Sequence, residues 1–170
     1  MKWILRILLS LFLLVVITLL VLRTPDKSLD ELKPLYTDQE SEWLNVDGMQ
    51  VHHKREGTGD AIVLLHGTGA SLHTWDGWVE RLDDHFEVYR MDLPAFGLTG
   101  PDPDADYTIE SYVSFVDNYV TQLGVDSFSI AGNSLGGSIA WAYTVSHPSK
   151  VQKLILLDAC LLYTSPSPRD

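Results

Sequence analysis

Cysteine is almost absent from this chain of 170 residues. Cys160 has no second thiol to pair with, so no intrachain disulfide framework is available. Cations are scarce as well. Lys and Arg number 12 against 23 Asp and Glu, a formal charge of −11, and the pI is near 4.8. A surface of that sign does not attract a phosphate backbone or a layer of anionic headgroups, which excludes nucleic acid as a partner. No internal repeat is present. The 45% hydrophobic content is inflated by one N-terminal stretch, and the remainder has an ordinary globular composition.

That stretch is Ile7 to Leu22, in which only Ser10 and Thr18 are polar; Trp3-Ile4-Leu5 extends it across Arg6. Twenty helical residues from Trp3 span roughly 30 Å, the thickness of a bilayer core. A cleaved signal peptide needs a small-x-small site, and Val21-Leu22-Arg23-Thr24-Pro25 offers none. Residues 1–23 are expected to form a transmembrane signal-anchor, with the membrane as its partner. The amino terminus, Lys2 and Arg6 before the span, against Arg23 and Lys27 after it, lean slightly towards an extracytoplasmic or periplasmic domain. Residues 24–42 carry Pro25, Pro34 and many acids and read as a linker, in which Ser28 is a candidate cap for a helix over 29–35.

From Trp43 the pattern changes. Trp43–Val46 and Met49–Lys54 flank Asp47-Gly48, the strongest short hairpin signal. Ala61–Leu65 is apolar throughout, as a strand covered on both faces must be. A helix follows, with Trp75, Trp78, Val79 and Leu82 on one face. His85–Met91 reads as the next strand. Thr108 is a plausible cap for a helix from Ile109, which Gly124 stops. Ser127–Ala131, Leu135–Val145 and Val151–Leu157 read as strand, helix and strand. A hairpin followed by alternating strands and helices predicts an α/β fold with a mostly parallel sheet.

Three loops carry chemistry. His66-Gly67-Thr68-Gly69 follows the third strand, Asp92-Leu-Pro-Ala-Phe-Gly97 the fourth, and Gly132-Asn-Ser134-Leu-Gly-Gly137 the fifth. The last is a G-x-S-x-G sequence in a strand–turn–helix context. A serine there sits on a strained turn, and the residues two before and two after it must be small. The helix behind it directs N–H groups at any anion that forms on the serine's reaction partner.

This succession resembles the α/β-hydrolase superfamily, on the branch with a serine nucleophile that contains C–C bond hydrolases and esterases. The resemblance covers Trp43 to about Ala159. It implies that Ser134 is the nucleophile, and that the N–H groups of Leu135 and Thr68 form the oxyanion hole, with Gly69 the alternative to Thr68. It also implies no metal or organic cofactor, and a small-molecule substrate held as an ester, thioester, lactone or C–C bond. Ala95 stands where the family usually has Gly. Serine rather than Asp at 134 argues against relatives that attack with a carboxylate.

Family members follow the serine with an acid and then a histidine. The only histidine after Ser134 is His147, roughly 18–20 Å away at helical rise. Asp158 ends the sixth strand, where a few relatives place their acid. Two other functions fit parts of the pattern. A non-catalytic binding protein of the same fold would keep the elbow without a base. A nucleotide-binding domain would use Gly67-Thr-Gly69, but Leu72 replaces its third glycine.

The last segment, Cys160 to Asp170, reads CLLYTSPSPRD. It is identical to the translation of a transposon-end adapter used in DNA library preparation. It is expected to be a non-native tail, with residues 43–159 the N-terminal part of the hydrolase domain, truncated after the sixth strand and inactive alone. Re-amplifying the source locus should give a different sequence after Ala159. Finding the same codons in the genome would overturn this expectation.

Overall fold

The structure, a computed structural model, describes residues 2–23 and 27–160. Most of the segment read above as a tail, 161–170, lies outside the described residues, as do linker residues 24–26. The chain divides into two compact units, residues 1–35 and 36–170.

In the first unit, helix α1 (Lys2–Val21) has 20 residues, no buried side chain and a mean hydropathy of 3.0 over an 18-residue window. It is long and apolar enough to cross a membrane, a property that signal sequences share. Thr18 Oγ1 donates to the Leu14 carbonyl at 2.8 Å, so its hydroxyl is satisfied within the helix. Helix α2 (Leu29–Tyr36) begins at a capping box. Ser28 Oγ accepts from the Glu31 N–H at 3.4 Å, and Glu31 Oε2 accepts from the Ser28 N–H at 2.9 Å.

The second unit is built on a six-stranded sheet. Its strands are β1 (Ser41–Val46), β2 (Met49–Gly57), β3 (Asp60–Leu65), β4 (Phe86–Met91), β5 (Phe128–Asn133) and β6 (Val151–Leu157), in the order β1-β2-β4-β3-β5-β6. The pairs β1/β2 and β2/β4 are antiparallel and the others parallel. Asp47 and Gly48 both take positive φ (51° and 84°), as a tight hairpin with the right twist requires. Each parallel step needs a crossover. A 3₁₀ turn (Leu72–Trp75) and α3 (Asp76–Leu82) join β3 to β4; α4 (Ile109–Gln122) joins β4 to β5; α5 (Leu135–Ser146) joins β5 to β6. Thr108 caps α4 by accepting from the Ser111 N–H at 3.2 Å.

The alternation of β3 shows how the sheet is covered. Val63 and Leu65 pack with Val116, Tyr119 and Val120 of α4 and with Ile139 and Tyr143 of α5. Ile62 and Leu64 pack with Trp75, Val79 and Val88 in a second cluster. Both faces are covered, which is why the strand is apolar at successive positions. The segment after Leu72 departs from the single helix read from the sequence. It starts as a 3₁₀ turn, and Trp78 is 40% exposed, set edge-on to Trp75 at 5.4 Å between ring centroids. Trp78 lies at the margin of the apolar arc that Trp75 and Val79 centre, so the short helix leaves it at the surface.

The loop after β4 holds Ala95 at φ 68° and Gly97 at φ 54°. Asp92 occupies the space a Cβ on Gly97 would take. Ala95 adopts the same left-handed region and bears the steric cost itself, about 1–2 kcal/mol for a residue with a Cβ. Ala95→Gly should therefore stabilise the chain by about 1 kcal/mol, part of the relief being offset by the freer unfolded state. Urea unfolding in detergent tests this: the midpoint should rise, and a fall would contradict the strain.

Candidate active site

Ser134 sits between the end of β5 and the start of α5 with φ 51° and ψ −114°, a conformation that L side chains rarely adopt. Its N–H donates to the Leu157 carbonyl at 2.9 Å, and its carbonyl accepts from the Ser138 N–H at 3.1 Å. The neighbours explain how the strain is held. A Cβ on Gly132 would run into the Gly136 carbonyl, and one on Gly136 would run into the carbonyls of Leu65 and His66. A Cβ on Gly137 would lie 2.8 Å from the Ala159 Cβ. The glycines of the G-N-S-L-G-G sequence are thus places where backbone or strand end comes too close for a side chain.

The β3 loop comes to the same point. A Cβ on Gly67 would be 2.9 Å from Asn133 Oδ1 and 3.1 Å from the Ser134 Cβ. Thr68, next in the chain, is exposed, and Leu135 is the half-buried first residue of α5. The fold therefore gathers the three residues singled out in the sequence, Ser134, Leu135 and Thr68, at one end of β3 and β5. The loop does not lead directly into an α-helix but into the 3₁₀ turn, with Leu72 fully buried, unlike the nucleotide-binding arrangement.

Other sequence candidates lie apart. His147 stacks on Tyr143 at 4.5 Å beyond the far end of α5, with Nε2 3.8 Å from Asp117. Asp158 is exposed just after β6 at φ 47°. Among the described residues, the side chain that hydrogen-bonds Ser134 Oγ is Cys160, at 3.0 Å between oxygen and sulfur.

Two buried polar groups fix the loops. His66 is fully buried; its Nδ1 donates to the Gly67 carbonyl at 2.8 Å and its Nε2 accepts from the Leu93 N–H at 3.0 Å. Those partners select the neutral tautomer protonated on Nδ1. Asp92 accepts from the N–H groups of Leu72 and Leu98, each at 2.8 Å, and pairs with His52 Nδ1 at 2.8 Å. The sequence marked Asp92 only as part of a loop pattern and did not mark His52 at all.

The family described as alpha/beta hydrolase fold matches residues 60–170. The 2-hydroxy-6-oxo-2,4-heptadienoate hydrolase of Pseudomonas putida is 30% identical over 115 residues, covering 66% of this chain and 42% of that protein. The N-formylmaleamate deformylase of Pseudomonas putida is 29% identical over 116 residues, covering 68% and 43%. Among solved structures, a membrane phospholipase A, a bacterial virulence factor, superposes with a TM-score of 0.70 at 28% identity, covering 100% of this chain and 55% of that one. The chain spans less than half the length of these two curated relatives.

The buried groups set a pH dependence. Burial is the main force lowering the pKa of His66, against the opposing pull of the Gly67 carbonyl and Asp92. His53, beside Tyr119, is lowered in the same way by burial, against Glu42. For both, the folded pKa lies below the unfolded 6.5. The unfolded chain then takes up protons first, so stability is full above pH 6.5 and falls as the pH drops through that value towards the folded pKa. Burial works against a charge on Asp92, but the bonds from His52, Leu98 and Leu72 outweigh it and hold its carboxyl below 3.8. Its contribution is present above 3.8 and is lost only as the pH falls through the folded value. Urea midpoints should drop between pH 7.5 and 5.5, and His66→Gln should flatten part of that drop. Equal midpoints at the two pH values would refute the account.

Proposed function

This chain belongs to the α/β-hydrolase family, and from that membership we propose that the protein is a membrane-anchored serine hydrolase acting through Ser134. The observation that carries the reading is the backbone of the elbow. Ser134 is held at φ 51° between glycines that have no room for a Cβ. Such strain persists only where the surroundings over-determine it, and it lifts the hydroxyl clear of the sheet.

In this mechanism Ser134 Oγ attacks the substrate carbonyl carbon and gives its proton to a histidine base, which forms the tetrahedral oxyanion. The N–H of Leu135, at the positive end of α5, and that of Thr68 donate to the oxyanion. Collapse expels the leaving group, which takes the proton from the histidine and leaves an acyl-enzyme. Water, deprotonated by the same base, then releases the acid and restores Ser134. The ester, thioester, lactone or C–C bond cleaved belongs to a small molecule; the names of the relatives, a heptadienoate hydrolase and a deformylase, support that class. For the anchor, support comes from the length and apolarity of α1 and from a likeness to a membrane phospholipase A that extends over the whole chain. In this reading the domain faces the extracytoplasmic side, which the small excess of positive charge before the span supports.

In the full-length protein, Ser134→Ala should lower kcat by roughly 10³- to 10⁶-fold on p-nitrophenyl esters, leaving what binding and the oxyanion donors supply. A fluorophosphonate should label Ser134 and no other residue. Unchanged turnover in the alanine variant would defeat the proposal.

A further inference from the structure

Away from Ser134, a second succession of serine, imidazole and carboxylate crosses the sheet. Ser41 Oγ lies 3.0 Å from His52 Nε2, and His52 Nδ1 lies 2.8 Å from Asp92 Oδ2. The order of groups is that of a nucleophile relay, but the electrostatics are wrong for one. Asp38 Oδ1 stands 3.3 Å from the same hydroxyl, so an oxyanion formed there would face a carboxylate. The imidazole is also fully buried.

What this succession does reach is the pair of loops beside Ser134. Asp92 Oδ1 accepts from the Leu72 N–H, which closes the loop beginning at His66-Gly67-Thr68. Asp92 Oδ2 accepts from the Leu98 N–H in the loop after β4. The main chain of His52 binds that second loop as well: its N–H donates to Thr99 Oγ1 at 3.1 Å, and its carbonyl accepts from the Asp92 N–H at 2.9 Å. An ionised Asp92 accepts a hydrogen bond from His52 Nδ1, while Nε2 faces the Ser41 hydroxyl at 3.0 Å. With three donors the carboxylate has one orientation. Without His52 it is buried with an unmet lone pair and free to turn, and the bonds to Leu72 and Leu98 slacken together.

We propose that His52 and Asp92 are positioning residues, which hold the Thr68 loop against Ser134 from the opposite end to Gly67, with Ser41 fixing the ring. The proposal rests on the reading of Ser134 and Thr68 given above. Neither residue touches the reacting atoms. Their effect on turnover passes through the height of one loop, so it should appear in kcat, where an oxyanion donor acts, and leave KM nearly unchanged.

The test pairs hydrogen–deuterium exchange of this chain in detergent micelles with kinetics of the full-length protein on p-nitrophenyl acetate. His52→Ala should speed exchange at Leu72 and Leu98 by about tenfold or more while Ile130 in β5 stays protected. In the full-length protein it should lower kcat by about tenfold or more with KM within about twofold. His52→Asn, whose side-chain nitrogen can stand where Nδ1 does, should restore both. If His52→Ala loses protection at Ile130 as well, Ser41→Ala replaces it and should loosen the same two amides by about threefold. Exchange unchanged in the alanine variants would overturn the proposal. So would faster exchange with unaltered kcat, or no recovery with Asn. If Ser134→Ala keeps full turnover, the hydrolase reading fails, and the exchange rates still report whether His52 and Asp92 hold the loops.

Discussion

Gly132 and Gly136 meet across a turn that has no volume for a methyl group, and Gly136 also rests on the carbonyls of Leu65 and His66. This contact joins the end of β3 to the turn between β5 and α5. It sets how close α5 stands to the sheet and forces the intervening Ser134 into a positive φ. A bulkier residue at either position would push α5 outward, and the stack of Ile139, Ala140 and Tyr143 against Phe128 and Ile130 would move with it. The conformation of the serine and the packing of the main core are two results of one approach of backbone to backbone.

Polar groups finish what the glycines begin. At the β3–β5 end, the face covered by the 3₁₀ turn and α3 is apolar, whereas at the β2–β4 end it is charged. Arg90 is buried there between Glu56 and Asp76 and donates to the Leu72 carbonyl at 3.1 Å, and Lys54 is buried against Asp38. Leu72 is therefore held through its N–H by Asp92 and through its carbonyl by Arg90. Buried cations paired in this way gain little net stability over apolar residues of similar size, but each has few alternative arrangements. The result is a defined position for the segment that follows the Thr68 loop.

Much of this was legible in the sequence because it is local. The Asp47-Gly48 turn, the Thr108 cap, the span Val151–Leu157 and the glycine spacing around Ser134 each state their geometry within a few residues. The polar pins were not legible, because they depend on strand order. Alternation says that His52, Lys54 and Glu56 share a face of β2, but not that β4 lies beside them, with β3 beyond it in the sheet. Without that neighbour, Asp92 has no visible partner. β2 also runs on to Gly57, past the Lys54 read from the sequence, and this extension brings Glu56 to Arg90. The surface position of Trp78 was hidden by a change of helix type after Leu72, which a uniform helical period does not register.

The sheet order also bears on how the chain reaches this state. β1 and β2 pair through a two-residue turn, whereas β3 pairs with β5, whose partner residues lie more than sixty positions further along. Closing so long an intervening segment costs entropy before any contact repays it, and folds dominated by such pairings assemble slowly. The hairpin can form as soon as it is synthesised. The elbow cannot, because the carbonyls on which Gly136 rests belong to β3 and its loop, and the turn reaches them only once β5 has docked. Ser134 therefore gains its strained conformation late, when the β3–β5 register closes, and until then it is an ordinary serine on a flexible chain.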